Sequence, residues 1–188
     1  AYTRALKENA GDTVVFTAGG SGVGKSSALK NLDELKSEID QAAVVIDSNM
    51  SSLKSSKAKV EEAFKAGKKV KIDYVYRDPS DAFENGVVKR MLDNPEEGGR
   101  LVPSSVVAGN HIDSLDVMKV LLDEGVNVRF VDNSNGFGKA KVSTYNEIAN
   151  KAKYPSKEEL AEQFNKIAKK LYDEGEITKE QYQGFLGE

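Results

Sequence analysis

The chain has 188 residues, which at roughly 100–200 residues per domain suits one compact domain with an appended helix or hairpin and excludes a multidomain machine. With 39% hydrophobic and 30% charged residues it can bury a real core, and 27 Lys and Arg against 30 Asp and Glu leave a formal charge of −3, which argues against a generic polyanion-binding surface. Zero cysteines exclude disulfides, thiolate metal sites and a cysteine nucleophile, and fit a cytoplasmic compartment.

No apolar run approaches the roughly 18–20 residues that cross a bilayer, and the opening Ala1-Tyr2-Thr3-Arg4 lacks a signal peptide's apolar core, so no membrane partner is expected. Ala1 in place of Met fits a processed chain or a segment of a longer one.

In chain order, Asp12 to Ala18 is a β-branched and aromatic run that ends in Gly19-Gly20 and reads as a buried strand entering a tight loop. From Ser26, Leu29, Leu32 and Leu35 recur at helical spacing until the polar stretch from Ser37 to Gln41. Ala42 to Ile46 predicts a second strand closed by Asp47, and Val60, Ala63 and Phe64 predict a helical face ended by Gly67. A third strand over Val70 to Tyr76 leads to Arg77-Asp78-Pro79 and a helix over Ala82 to Leu92. Asp93 to Arg100 has the Gly and Pro chemistry of an exposed loop and is a lid candidate. A helix over Ile112 to Leu122, capped by Gly125, precedes a fourth strand over Val126 to Val131.

Strands alternating with helices at this spacing predict βαβ units, a mainly parallel sheet and a three-layer α/β/α fold. After Tyr154-Pro155, Ser156-Lys157-Glu158-Glu159 has capping-box form and opens an amphipathic helix with Leu160, Phe164, Ile167, Ala168 and Leu171. The expected division is a nucleotide-binding domain over 1–150 and a helical tail over 151–188. The tail either packs on that domain or docks a partner or a neighbouring domain.

Gly19-Gly20-Ser21-Gly22-Val23-Gly24-Lys25-Ser26 matches G-x-x-x-x-G-K-[ST] at every fixed position, between a predicted strand and a predicted helix. Glycines let successive amides turn inward around a β-phosphate at the positive end of a helix. The expected nucleotide-binding set is Gly20, Ser21, Gly22, Val23, Gly24, Lys25, Ser26 and Ser27, with Lys25 bridging the β- and γ-phosphates of ATP and Ser26 holding Mg²⁺.

Phosphate loops serve several reactions. A switch GTPase would carry Asn-Lys-x-Asp on a late strand, whereas this one ends Val131-Asp132-Asn133-Ser134, and a motor ATPase would usually need more chain. A small kinase needs an acid near the acceptor hydroxyl and arginines around the transferring phosphate. Asp47, expected at the carboxyl end of a strand beside the loop, is the leading acid, as general base or as a Mg²⁺-associated carboxylate. Arg77, Arg90 and Arg100 are candidates for neutralising developing charge, with Arg100 best placed after Gly98-Gly99. Asn49, Arg77, Arg90 and the single histidine, His111, form the expected acceptor-binding set, with a structural place as the alternative for His111. Lys54, Lys57, Lys65, Lys68 and Lys69 read as a solvated face, so nucleic acid is the less favoured partner.

The phosphate loop, Tyr74-Val75-Tyr76-Arg77-Asp78-Pro79, Gly99-Arg100-Leu101-Val102-Pro103 and His111 occur in the order seen in zeta toxin-like P-loop kinases, particularly divergent phage and mobile-element types. The resemblance covers Thr13 to Asn133. It implies ATP-dependent phosphorylation of the amino sugar of a UDP-sugar or of another hydroxyl, nucleotide and Mg²⁺ held by Lys25 and Ser26, a lid arginine at Arg100, and an antitoxin as partner. Family members often carry Asp-x-Asp after the second strand; this chain reads Asp47-Ser48-Asn49, which leaves Asp47 as the acid there. Competing readings are a kinase of a hydroxyl on a modified nucleic-acid base and a non-catalytic nucleotide-binding module of a larger mobile-element protein.

Overall fold

The computed structural model describes residues 1–94, 101–154 and 156–188. Five strands, β1 (Thr13–Ala18), β2 (Val44–Asp47), β3 (Lys69–Tyr76), β4 (Asn127–Asp132) and β5 (Lys141–Ser143), form one sheet in the order β2-β1-β3-β4-β5. The first four are parallel, and β5, which the hydropathy pattern does not reveal, closes the β4 edge antiparallel. A central strand covered on both faces is apolar along its whole length, and β1 is. Val14, Phe16 and Ala18 face one layer while Val15 and Thr17 face the other, all buried.

On one face lie α1 (Tyr2–Glu8), α4 (Leu53–Lys65), α7 (Ser104–Asp123) and α8 (Tyr145–Lys151), whose Leu6, Val60, Met118 and Ile148 complete the main core. On the other lie α2 (Lys25–Lys30) and α3 (Asp33–Gln41), packed through Ala28, Leu29 and Leu35 on Val75 and Val131. The architecture is the expected α/β/α sandwich. Among the described residues no helix is long and apolar enough to cross a membrane.

Several element boundaries differ from the periodicity. The predicted run from Ser26 splits at Leu32, whose extended backbone (φ −114°, ψ 100°) starts α3 with Asp33 and Glu34 in its first turn. Phe64, expected on the buried face of α4, is 51% exposed, because one residue beyond the buried Ala63 turns about 100° around the helix. The predicted helix from Ala82 begins earlier, as α5 (Pro79–Ala82) capped by Asp78, and passes through a π-helical turn (Phe83–Val88) into α6 (Lys89–Asp93). The predicted helix from Ile112 starts eight residues sooner at Ser104 and so includes Asn110 and His111.

A charged cluster fixes α3 to the sheet. Arg129 donates through Nε to Asp73 Oδ1 at 2.7 Å and also pairs with Glu38, which accepts from Lys71 at 2.8 Å. Asp73 is fully buried, and burial raises its carboxyl pKa against the opposing pull of Arg129.

The tail builds a second core at the end of the sandwich. Helices α9 (Lys157–Asp173) and α10 (Lys179–Leu186) bring Phe164 and Phe185 onto Phe83 of the π turn, with ring centroids 4.7 and 5.2 Å away. Val107 and Ala108 of α7 join the same cluster. At Ser156 the side chain accepts from Glu159 N–H, whereas the capping box with both bonds made is Thr178 with Gln181, at the start of α10. Truncating Phe164 to Ala should lower stability by about 3–5 kcal/mol in urea unfolding, with sheet and tail still melting in one transition.

Candidate nucleotide-binding site

Between β1 and α2 the chain turns tightly, and three successive carbonyls of that turn are held from behind by three different elements. His111 Nε2 on α7 is 2.9 Å from the Ser21 carbonyl, Arg77 Nη1 beyond β3 donates to the Gly22 carbonyl at 3.3 Å, and Asn133 Nδ2 beyond β4 donates to the Val23 carbonyl at 2.8 Å. A trans peptide is planar, with C=O and the following N–H on opposite sides. Drawing these carbonyls back therefore aims the N–H groups of Gly22, Val23 and Gly24 into the cleft that the same residues line. Gly24, at φ +74°, caps α2 in a left-handed conformation that suits glycine.

The π turn presses against this loop. A Cβ on Gly86 would lie 2.3 Å from the Gly22 carbonyl oxygen, and one on Gly22 would lie 2.3 Å from the Ala82 oxygen, so two backbones meet where neither could carry a side chain. The π turn leads directly into Arg90, which faces the cleft with Val87.

The cleft has a volume of about 460 Å³. Residues 21–27 form its floor, Asp47, Ser48 and Asn49 one wall, and Val87, Arg90, Val102, Val106 and Asn110 the other. Asp47 is placed by strand register: it sits opposite Thr17, whose hydroxyl donates to its Oδ1 at 2.5 Å. Lys25 Nζ donates to Asn49 Oδ1 at 3.1 Å. Burial lowers the Lys25 pKa from the usual lysine value, with Asp47 opposing and the like charge of Arg90 adding. Among the described residues two cations and one carboxylate line this cleft, a set that suits a polyanion such as a triphosphate. Ser26 and Ser27 stand at the first turn of α2 and line the cleft floor, with hydroxyls open to an incoming group.

Of the expected acceptor-binding residues, Asn49 and Arg90 line the cleft. Arg77 and His111 stand behind the loop. Arg77 is committed to Asp81 at 2.5 Å and to the Gly22 carbonyl, which leaves it to shape the loop. His111 is 2% exposed, and its ring fills the space that a Cβ on Gly20 would need. Gly20 thus serves by its lack of a side chain. Arg100 lies outside the described residues.

Motif and spacing do not point to Asn110, which donates to Ser21 Oγ at 3.2 Å, or to Asn133 and Gly86 as supports of the loop. Thr17 could have been found, since a parallel β1–β2 pair sets it beside Asp47. Of the lysine face, Lys57 pairs with Glu124 and Lys68 donates to the Asn9 and Gly11 carbonyls.

No protein-family model matches the chain, and no curated protein matches its sequence. Solved structures do match. One, from the PezAT chromosomal toxin–antitoxin system of the human pathogen Streptococcus pneumoniae, aligns over 90% of this chain and 93% of its own at 8% identity and a TM-score of 0.53. A chain of the AvrRxo1-ORF1:AvrRxo1-ORF2 complex with sulphate ions aligns over 99% of this chain and 79% of its own, at 13% identity and a TM-score of 0.50. A chain of that complex with ATP aligns over 82% and 70%, at 14% and 0.51. At these identities the likeness is one of fold.

His111 supplies a pH test of the loop support. A carbonyl only accepts, so Nε2 carries a proton. Burial pushes its pKa down to about 4, Lys25 adding, while the Ser21 bond and Asp78 oppose. The unfolded chain takes up this proton near pH 6.5 and the native one only near 4, so native stability is full above 6.5 and falls as pH drops toward 4. The loss should reach about 3 kcal/mol in urea midpoints, and His111→Gln should flatten that slope relative to the parent chain.

Proposed function

We propose that this chain, which has a zeta toxin-like P-loop fold, is an ATP-dependent, Mg²⁺-requiring phosphotransferase acting on a hydroxyl. The observation that carries this reading is the meeting of Lys25, Asp47 and Arg90 in one cleft over a loop whose amides are aimed inward. The amides and Lys25 would hold the β- and γ-phosphates. Ser26 fits Mg²⁺, being a hydroxyl on the cleft floor across from a carboxylate; the ion would neutralise phosphate charge.

In this reading the acceptor oxygen bonds to the γ-phosphorus as the bond to the β–γ bridging oxygen breaks. The acceptor's proton passes to Asp47, whose Oδ1 is already fixed by Thr17 and whose carboxylate faces the cleft. Arg90 spreads over the charge of the transferring group, and Arg100 is assigned the same role from its place in the resemblance. Asn49 suits a phosphate site: its neutral amide oxygen accepts from Lys25, where a second carboxylate would compete with phosphate for the ammonium.

The acceptor class assigned is a nucleotide-sugar hydroxyl, and the partner class an antitoxin, supported by the resemblance and by fold likeness to a chain of a toxin–antitoxin system. The compartment that this chemistry implies is the cytoplasm. Residues 1–150 would be the kinase-like domain and 151–188 its tail.

Incubation with γ-labelled ATP and a panel of nucleotide sugars, nucleosides and hydroxymethylated DNA tests the reading. Label should move to one acceptor class, and Lys25→Ala, Asp47→Ala or Arg90→Ala should each slow transfer by a factor on the order of 10²–10⁵ without unfolding the chain. ATP binding with no acceptor labelled would favour the nucleotide-binding module instead. Hydrolysis unchanged in Lys25→Ala, with no transfer, would sink both.

A further inference from the structure

Between β2 and α4 the chain runs through residues 48–52, and one of them holds a conformation that its side chain disfavours. Met50 has φ +50°, the one positive value at a non-glycine position among the described residues. That conformation brings Cβ against the following carbonyl oxygen, so a residue such as methionine adopts it only where its surroundings impose it. They impose it from two sides. The Met50 side chain is buried in the main core with Val60 and Met118. The peptide that joins Asn49 to Met50 is held at both of its polar groups. Its N–H donates to Ser48 Oγ at 3.0 Å, and its carbonyl accepts from Ser114 Oγ at 2.6 Å and from Gly19 N–H at 3.3 Å.

Ser114 is fully buried on α7 and has no part in the phosphate chemistry above. One turn earlier on the same helix face, Asn110 accepts from Ser51 Oγ at 3.2 Å while donating to Ser21 of the phosphate loop. Helix α7 therefore grips the wall at Asn49 and at Ser51, on either side of Met50. Asp47 is fixed by strand register, and Ser48 and Asn49 are the stretch of cleft wall between it and this grip. A planar peptide pinned at both carbonyl and N–H cannot turn. Released at the carbonyl, it can rotate to give Met50 a negative φ, the change that separates a type II turn from a type I turn, and Asn49 moves with it.

We propose that Ser114 is a positioning residue for transfer: by holding the Asn49 carbonyl it keeps Met50 left-handed and sets the wall of Ser48 and Asn49 against which the acceptor lies beside Asp47. This deepens the phosphotransferase reading above and rests on it. The strain gives the wall two states, and it keeps its present one only while the Ser114 bond outweighs the relaxation open to Met50. The phosphate loop has its own supports in His111, Arg77 and Asn133, so ATP binding does not depend on Ser114.

A first test needs no activity. Met50→Gly and Met50→Ala both lose the buried side chain, so the difference between their urea midpoints reads the backbone. Glycine is ordinarily the less stable of the two; at a left-handed position the order reverses, and Met50→Gly should have the higher midpoint. With Ser114→Ala added to both, the freed peptide lets alanine relax and the ordinary order should return. No glycine advantage in the first pair, or one that survives Ser114→Ala, overturns the proposal. The second test assays Ser114→Ala with γ-labelled ATP and the acceptor class found by the panel above. Its kcat/KM for the acceptor should fall about ten- to a hundredfold, the scale of a misplaced group at a reacting centre, while the calorimetric Kd for ATP stays at the parent value. Ser114→Cys, close in volume and a weak donor, should fall between. Unchanged transfer overturns the positioning role and leaves the phosphotransferase reading standing. A matching loss of ATP affinity also overturns it, since Ser114 would then act through the phosphate loop. If the parent chain labels no acceptor, the phosphotransferase reading falls and the role in transfer with it, whereas the midpoints still decide what holds Met50.

Discussion

Three carbonyl groups pulled backwards give the cleft its shape. Ser21, Gly22 and Val23 each lose their carbonyl oxygen to a side chain from a different part of the fold, and planarity of the peptide turns that loss into inward-pointing amides. Each bond contributes on the order of 0.5–1.5 kcal/mol, but an unpaired buried carbonyl would cost about as much or more, so the set acts as one constraint. It explains why α7, the end of β3 and the end of β4 must all be in place before the loop has its shape.

The second constraint is proximity. Gly22 and Gly86 meet backbone to backbone, and the π turn that carries Gly86 also carries Phe83 on one side and leads to Arg90 on the other. Phe83 is stacked on Phe164 of α9, and His111 stands 6.3 Å from the same Phe164 ring. Leu101 meets the backbone of Gly184 in α10, next to Val102 of the cleft wall. The C-terminal helices therefore back the wall of the cleft that bears Arg90, Val102 and Val106. Their burial is a condition for the geometry of the site, as well as a contribution to stability.

The electrostatics follow from that packing. A net charge of −3 says nothing of a cleft that Lys25, Arg90 and Asp47 line together. Desolvation makes the Lys25 ammonium costly when the cleft is empty, and Asn49 offers it only a neutral oxygen. The arrangement leaves an unmet demand for negative charge at the site where the loop amides converge. Thr17 meanwhile keeps Asp47 oriented toward the cleft, a pairing that strand register alone assigns.

The phosphate loop, its flanking β1 and α2, the βαβ order and Asp47 at a strand end were all readable along the chain, because they depend on residues adjacent in sequence and on hydropathy periods that neighbouring residues set. Arg77 and His111 stand out in the sequence as unusual residues, but the fold sets them behind the loop rather than in the cleft. Nothing local distinguishes a guanidinium or imidazole that binds a ligand from one that binds a carbonyl of the chain itself. The π turn, Gly86 and the role of the tail were not readable for a similar reason: Gly22 and Gly86 are sixty-four positions apart, and His111 and Phe164 fifty-three. Close approach between distant segments leaves no periodic trace. Local chemistry and spacing set which element carries the glycine-rich loop; the packing of distant backbones decided which polar side chains face the cleft and which hold the loop from behind.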